Sequence, residues 1–182
     1  MTKTKVSGQM ECKDYRPMKE YSNTETLIDN LPYIAMTIVG AVIILVGSDI
    51  SILGWVFSIL YILYAILGAL WIMIFICPYC YFFNTRACPC GYGIIAVKFN
   101  KKKSIENFAE KFKKHIPVIV PLWLIPVLVG GYFLFRDFNW LILTLILIFS
   151  INSFIILPLV SKKYGCAHCQ QRDTCPWMKE KP

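Results

Sequence analysis

Four blocks of nearly unbroken apolar sequence, at 31–48, 50–76, 116–135 and 138–160, leave this chain very few folds to choose from. A helix of about 20 apolar residues, rising about 1.5 Å per residue, matches a hydrocarbon core about 30 Å thick. Charged residues make up 16% of the 182-residue chain and hydrophobic residues 57%, whereas soluble domains carry roughly a quarter charged residues. The expected fold is therefore an all-α integral membrane protein with four transmembrane helices. Little more than Ser48-Asp49 separates the first two blocks, and Arg136-Asp137 the last two. Such short links predict two tight antiparallel hairpins, 31–76 and 116–160.

An even number of spans puts the polar segments 1–30, 77–115 and 161–182 on one side of the membrane. Those segments hold eighteen of the nineteen Lys and Arg residues, and Arg136 alone lies on the other side. Basic loops stay cytoplasmic, so both termini are expected in the cytoplasm, with the protein integral to the cell membrane. Residues 1–30 lack a basic stub leading into an apolar run, and a cleaved signal peptide is not expected. The net charge of +8 is accounted for as a topology signal. A nucleic-acid partner would need a soluble basic face, which the sequence lacks.

All eight cysteines, Cys12, Cys77, Cys80, Cys88, Cys90, Cys166, Cys169 and Cys175, fall in the three segments assigned to the cytoplasm. Cysteines used as small core hydrophobes would lie inside the spans, and stable disulfides are rare in a reducing compartment. Cys77-Pro-Tyr-Cys80 and Cys166-Ala-His-Cys169 are C-x-x-C pairs, Cys88-Pro-Cys90 is a tighter C-x-C, and Cys175 follows. C-x-x-C spacing lets two thiolates reach one ion at about 2.3 Å. Proline after three of these cysteines stiffens the turns and removes an N–H, and Gly91 and Gly93 allow the chain to fold back closely. The expectation is a cysteine-rich cap in which Cys77, Cys80, Cys88, Cys90, Cys166, Cys169 and Cys175 bind metal, with loop and tail sharing a site. Cys12 or His168 would complete a second set of four. Soft thiolates suit either zinc or an iron–sulfur cluster. Zinc would close the cap as a docking surface. A cluster would make it an electron-transfer surface for a soluble or membrane redox partner.

Cys-Pro-Tyr-Cys is also the active-site tetrapeptide of glutaredoxins, which requires a thioredoxin-type βαβ context and a thiolate at a helix N-terminus. Cys77 instead follows a helix C-terminus, where the dipole disfavours a thiolate. The alternative function is a membrane thiol–disulfide oxidoreductase using the Cys77/Cys80 pair. No phosphate-cradling glycine loop, Ser/His/Asp set or paired catalytic carboxylates is present, so any enzyme chemistry would run through the thiols or the metal.

The segment SIENFAEKFKKHI, 104–116, places Ile105, Phe108, Ala109, Phe112 and Ile116 on one helical face, with Ser104 as its N-cap. Its lysines suit an anionic leaflet, and His115 marks the start of the third span. Pro117, Pro121 and Pro126 make that span irregular, because each lost N–H frees a carbonyl that needs another partner. Ser150, Asn152 and Ser153, with Pro158 beyond, are expected to hydrogen-bond between helices.

Overall fold

The N-terminal helix of this computed structural model, which describes residues 19–166 and 176, begins earlier than the apolar block it carries. Ser22 Oγ accepts the N–H of Glu25 at 3.3 Å, and the Glu25 carboxylate accepts the N–H of Ser22 at 2.9 Å. This reciprocal capping box starts α1 (Asn23–Gly47) at Asn23, so a polar turn bearing Asp29 and Asn30 extends past the apolar block. The chain continues through α2 (Ile52–Phe75), the short α3 (Tyr92–Ala96), α4 (Phe108–His115), α5 (Pro121–Arg136), α6 (Trp140–Ile151) and α7 (Leu157–Val160). The described residues form helices and turns, with no strand.

Apart from α3, these pieces, with short 3-10 and π turns, make up four helices long and apolar enough to cross a membrane: Asn23–Gly47, Ile52–Tyr79, Ile105–Arg136 and Trp140–Lys163. In the most buried of them, only 39% of the most apolar window lies inside the protein. Ile52, Leu128, Phe135 and Leu159 point outward with most of their surface exposed. An outer surface this apolar suits hydrocarbon rather than water.

The central helix is α1, which packs on α2, α5 and α6. Met36, Ile43, Tyr61, Ala65, Leu122 and Phe149 form the buried core. Glycines set how closely the helices approach. A Cβ at Gly40 would stand 2.7 Å from the Tyr61 ring, and one at Gly130 would stand 2.8 Å from Ile43 and Ile146. Close backbone approach through small residues is how helices gain packing where lipid offers no hydrophobic drive.

The predicted irregularity of the third span has a specific repair. Pro126 lies inside α5 and is buried, so the carbonyl of Leu122, one turn earlier, has no N–H to accept. Tyr61 of α2 donates its hydroxyl to that carbonyl at 2.8 Å. Ser58 Oγ donates to the carbonyl of Ala41 at 2.9 Å, and Tyr33 donates to that of Ala65 at 2.7 Å. Asn152, on the π turn Asn152–Ile156, donates its amide to the Pro32 carbonyl of α1 at 2.8 Å. The interhelical role expected of the 150–153 patch is thus carried by Asn152, while Ser153 Oγ is buried with no hydrogen-bond partner.

The amphipathic segment runs into the third span without a break, its Phe108, Ala109 and Phe112 half-buried and Lys113 and Lys114 exposed. Ser104 differs from expectation: it precedes a 3-10 turn, Ile105–Asn107, and its side chain makes no capping hydrogen bond. The tighter turn does not present its N–H groups as an α-helical start does. His115 stacks on Phe75 with ring centroids 4.9 Å apart.

Replacing Tyr61 by Phe strands the Leu122 carbonyl in an apolar interior and should cost about 1–3 kcal/mol. The expected result is a lower thermal midpoint in detergent. In a Pro126→Ala background, where residue 126 regains its N–H, the same substitution should cost clearly less. Equal costs in the two backgrounds would show that the hydroxyl is not repairing the proline gap.

Candidate metal centre

The cap is built on the end of α2, where the chain cannot continue as a regular helix. Pro78 lacks the N–H that would bond the carbonyl of Ile74, and Asn100 supplies its side-chain amide to that carbonyl at 3.2 Å. The 3-10 turn Cys77–Tyr79 follows, and the Lys103 N–H bonds back to the Pro78 carbonyl at 2.9 Å. Residues 77–103 are thereby folded against the end of α2. Met73, Cys77, Phe83 and Ala96 form a small apolar core there, with Tyr92 packed on it.

Within the loop the two cysteine motifs adopt different geometries. Cys77 is buried and Cys80 half-buried, and the N–H of Cys80 bonds to the Cys77 carbonyl at 3.0 Å. Cys88 and Cys90 flank Pro89 at a sharp reversal, in which Gly91 adopts φ +73° and opens α3. The Cys88 sulfur accepts the N–H of Gly93 at 3.3 Å, with the backbone N–H groups of Cys90, Gly91 and Tyr92 close by, that of Gly91 bonded to the Cys88 carbonyl at 3.0 Å. Burial pushes the Cys88 thiol up, and these backbone donors pull it part of the way back. Gly93 has no room for a side chain: a Cβ would lie 2.4 Å from the Phe82 carbonyl oxygen and 3.2 Å from Cys88 Cβ.

Cys90 is held from α1. Its Sγ donates to Asp29 Oδ2 at 3.1 Å, and its carbonyl accepts the Asn30 amide at 3.1 Å. Burial pushes the Cys90 thiol well up, with further upward pushes from the Asp29 carboxylate and from Cys88. The Tyr92 phenol is likewise raised, by burial first and by the neighbouring cysteines second. Tyr21, just before α1, is buried and bonds through its N–H to the Arg86 carbonyl at 3.0 Å.

Of the residues expected to bind metal, Cys77, Cys80, Cys88 and Cys90 are gathered in this one cap, and they form no disulfide with one another. Cys166 ends the described helix, and its side chain, together with Cys12, His168, Cys169 and Cys175, lies outside the described residues. As the side chains stand, no group of three or more Cys, His, Asp or Glu residues among the described residues is arranged to hold an ion. The Cys88 and Cys90 sulfurs are engaged separately, one with the Gly93 N–H and one with the Asp29 carboxylate. Asp29 and Asn30 were missed by sequence reasoning, because they look like the tail of a polar N-terminal segment. The Ser22/Glu25 capping pair was the signal that helix α1 already includes them.

No protein-family model matches the chain, and no curated protein or solved structure matches it either.

Replacing Gly93 by Ala should force the Phe82 carbonyl and the Cys88 turn apart at a cost of about 1–3 kcal/mol. Alkylation of Cys88 and Cys90 in detergent should then quicken by about tenfold or more, since 1.4 kcal/mol changes an opening equilibrium tenfold. Unchanged alkylation rates would show that the loop is not closed by this contact.

Proposed function

We propose that this chain is a four-span membrane protein, folded as two antiparallel hairpins, whose cysteine-rich cytoplasmic cap binds zinc or an iron–sulfur cluster. The cap serves as a docking or electron-transfer surface. The observation that carries this reading is the Cys88–Cys90 turn. In it the Gly93 N–H bonds the Cys88 sulfur at 3.3 Å, the kind of donor that supports a metal-bound thiolate. Cys77 and Cys80 sit in the same folded loop and supply further soft donors. Cys166, Cys169 and Cys175 complete the proposed set from the tail. The basic residues of the polar segments support a cytoplasmic location for this face and both termini.

The rival, a thiol–disulfide oxidoreductase working through Cys77 and Cys80, fits less well. Cys77 is buried at the C-terminal end of α2, where the dipole opposes the thiolate that disulfide exchange needs.

Protein purified without oxygen should contain stoichiometric metal. Zinc would make the cap structural, whereas iron with acid-labile sulfide and broad visible absorbance would make it an electron-transfer site. A metal-free protein with a reversibly titrating Cys77/Cys80 pair would overturn the metal reading in favour of the oxidoreductase. A membrane-impermeant thiol reagent should leave intact cells unlabelled, and labelling without permeabilisation would invert the topology.

A further inference from the structure

We propose that Asp29 of α1 is an oxygen ligand of the cap's metal beside Cys90, and that this mixed sulfur–oxygen set takes zinc. The inference rests on the metal reading above and narrows it. Asp29 Oδ2 lies 3.1 Å from Cys90 Sγ, while Asp29 Oδ1 is buried with no hydrogen-bond partner. The ion pairs among the described residues are Lys19–Glu25 and Lys111–Glu110, and neither reaches Asp29. A buried carboxylate oxygen beside a thiol, with no donor or cation facing it among the described residues, is an unmet acceptor and carries a cost. A divalent ion between the two groups removes that cost.

The pair is also held in register. Asn30, the next residue along α1, binds the Cys90 carbonyl. One turn earlier, Thr26 packs so closely on Gly91 that a Cβ there would meet its methyl at 3.0 Å. Zinc takes sulfur at about 2.3 Å and carboxylate oxygen at about 2.0–2.2 Å, which in a tetrahedral site separates S from O by about 3.5 Å. The observed pair needs only a small spreading to accept it. Cys88 and Cys77 lie within electrostatic reach of Cys90. Under this proposal Cys88 and Cys77 would fill the remaining positions by turning their side chains on binding, since no three such side chains among the described residues converge as they stand. Binding is a ligand exchange with no change in oxidation state: the Cys90 S–H bond breaks, a Zn–S bond forms, and the proton leaves to solvent. Iron–sulfur clusters are held by thiolates and occasionally by imidazole, so a carboxylate in the set favours zinc.

The test uses the full chain in detergent under anaerobic conditions, stripped with a chelator and titrated with Co²⁺ and then Zn²⁺. Wild type should show sulfur-to-cobalt charge-transfer absorbance and tetrahedral d–d bands that zinc abolishes. Asp29→Asn should bind about ten- to a hundredfold more weakly, with shifted d–d bands. The same affinity and spectrum in that variant would overturn the role of Asp29. X-ray absorption of zinc-loaded wild type tests it without any substitution: a mixed sulfur–oxygen shell is expected, and an all-sulfur shell overturns the proposal while leaving the metal reading intact. Iron with labile sulfide in the native protein overturns the choice of zinc. Wild type that takes up neither Co²⁺ nor Zn²⁺, and holds no iron, removes the metal reading itself.

Discussion

In the bundle, the hydrogen bond from the Tyr61 hydroxyl to the Leu122 carbonyl joins three requirements at one point. Pro126 takes away the N–H that the carbonyl would have used, and in hydrocarbon no water replaces it. The Tyr61 ring must pass over α1 to reach α5, and Gly40 is the residue that leaves it room. The spacing of α1, α2 and α5 therefore follows from one unsatisfied backbone group. Ser58, Tyr33 and Asn152 likewise reach backbone carbonyls on a neighbouring helix. Polar residues here fix register, while the apolar ones supply area.

The same rule shapes the cap. Pro78 frees the Ile74 carbonyl, and Asn100, far along the loop, fills it. Because that repair comes from residue 100, the whole stretch between is drawn against the end of α2, and its cysteines with it. Tyr21, just before α1, and Asp29 and Asn30 in its polar first turns close the other side. Burial then pushes the thiols of Cys88 and Cys90 up. Disulfide exchange needs an accessible thiolate, and burial of these sulfurs works against one.

Helix number and approximate spans were legible in the sequence, because bilayer thickness imposes a length and an apolarity that composition reveals directly. The prolines announced that carbonyls would be freed, and the cysteine spacing announced candidate ligands. Partners were not legible: nothing in the order of residues says that Tyr61 answers Pro126, that Asn100 answers Pro78, or that Asp29 meets Cys90, sixty-one positions apart. These pairings depend on how helices pack and on where α1 begins. The sequence by itself determined four apolar helices with thiols confined to the polar segments, since those follow from local hydrophobicity and residue type. Only the tertiary structure decided which buried polar groups meet, because each pairing is a long-range solution to a local deficit of hydrogen bonds or of counter-charge.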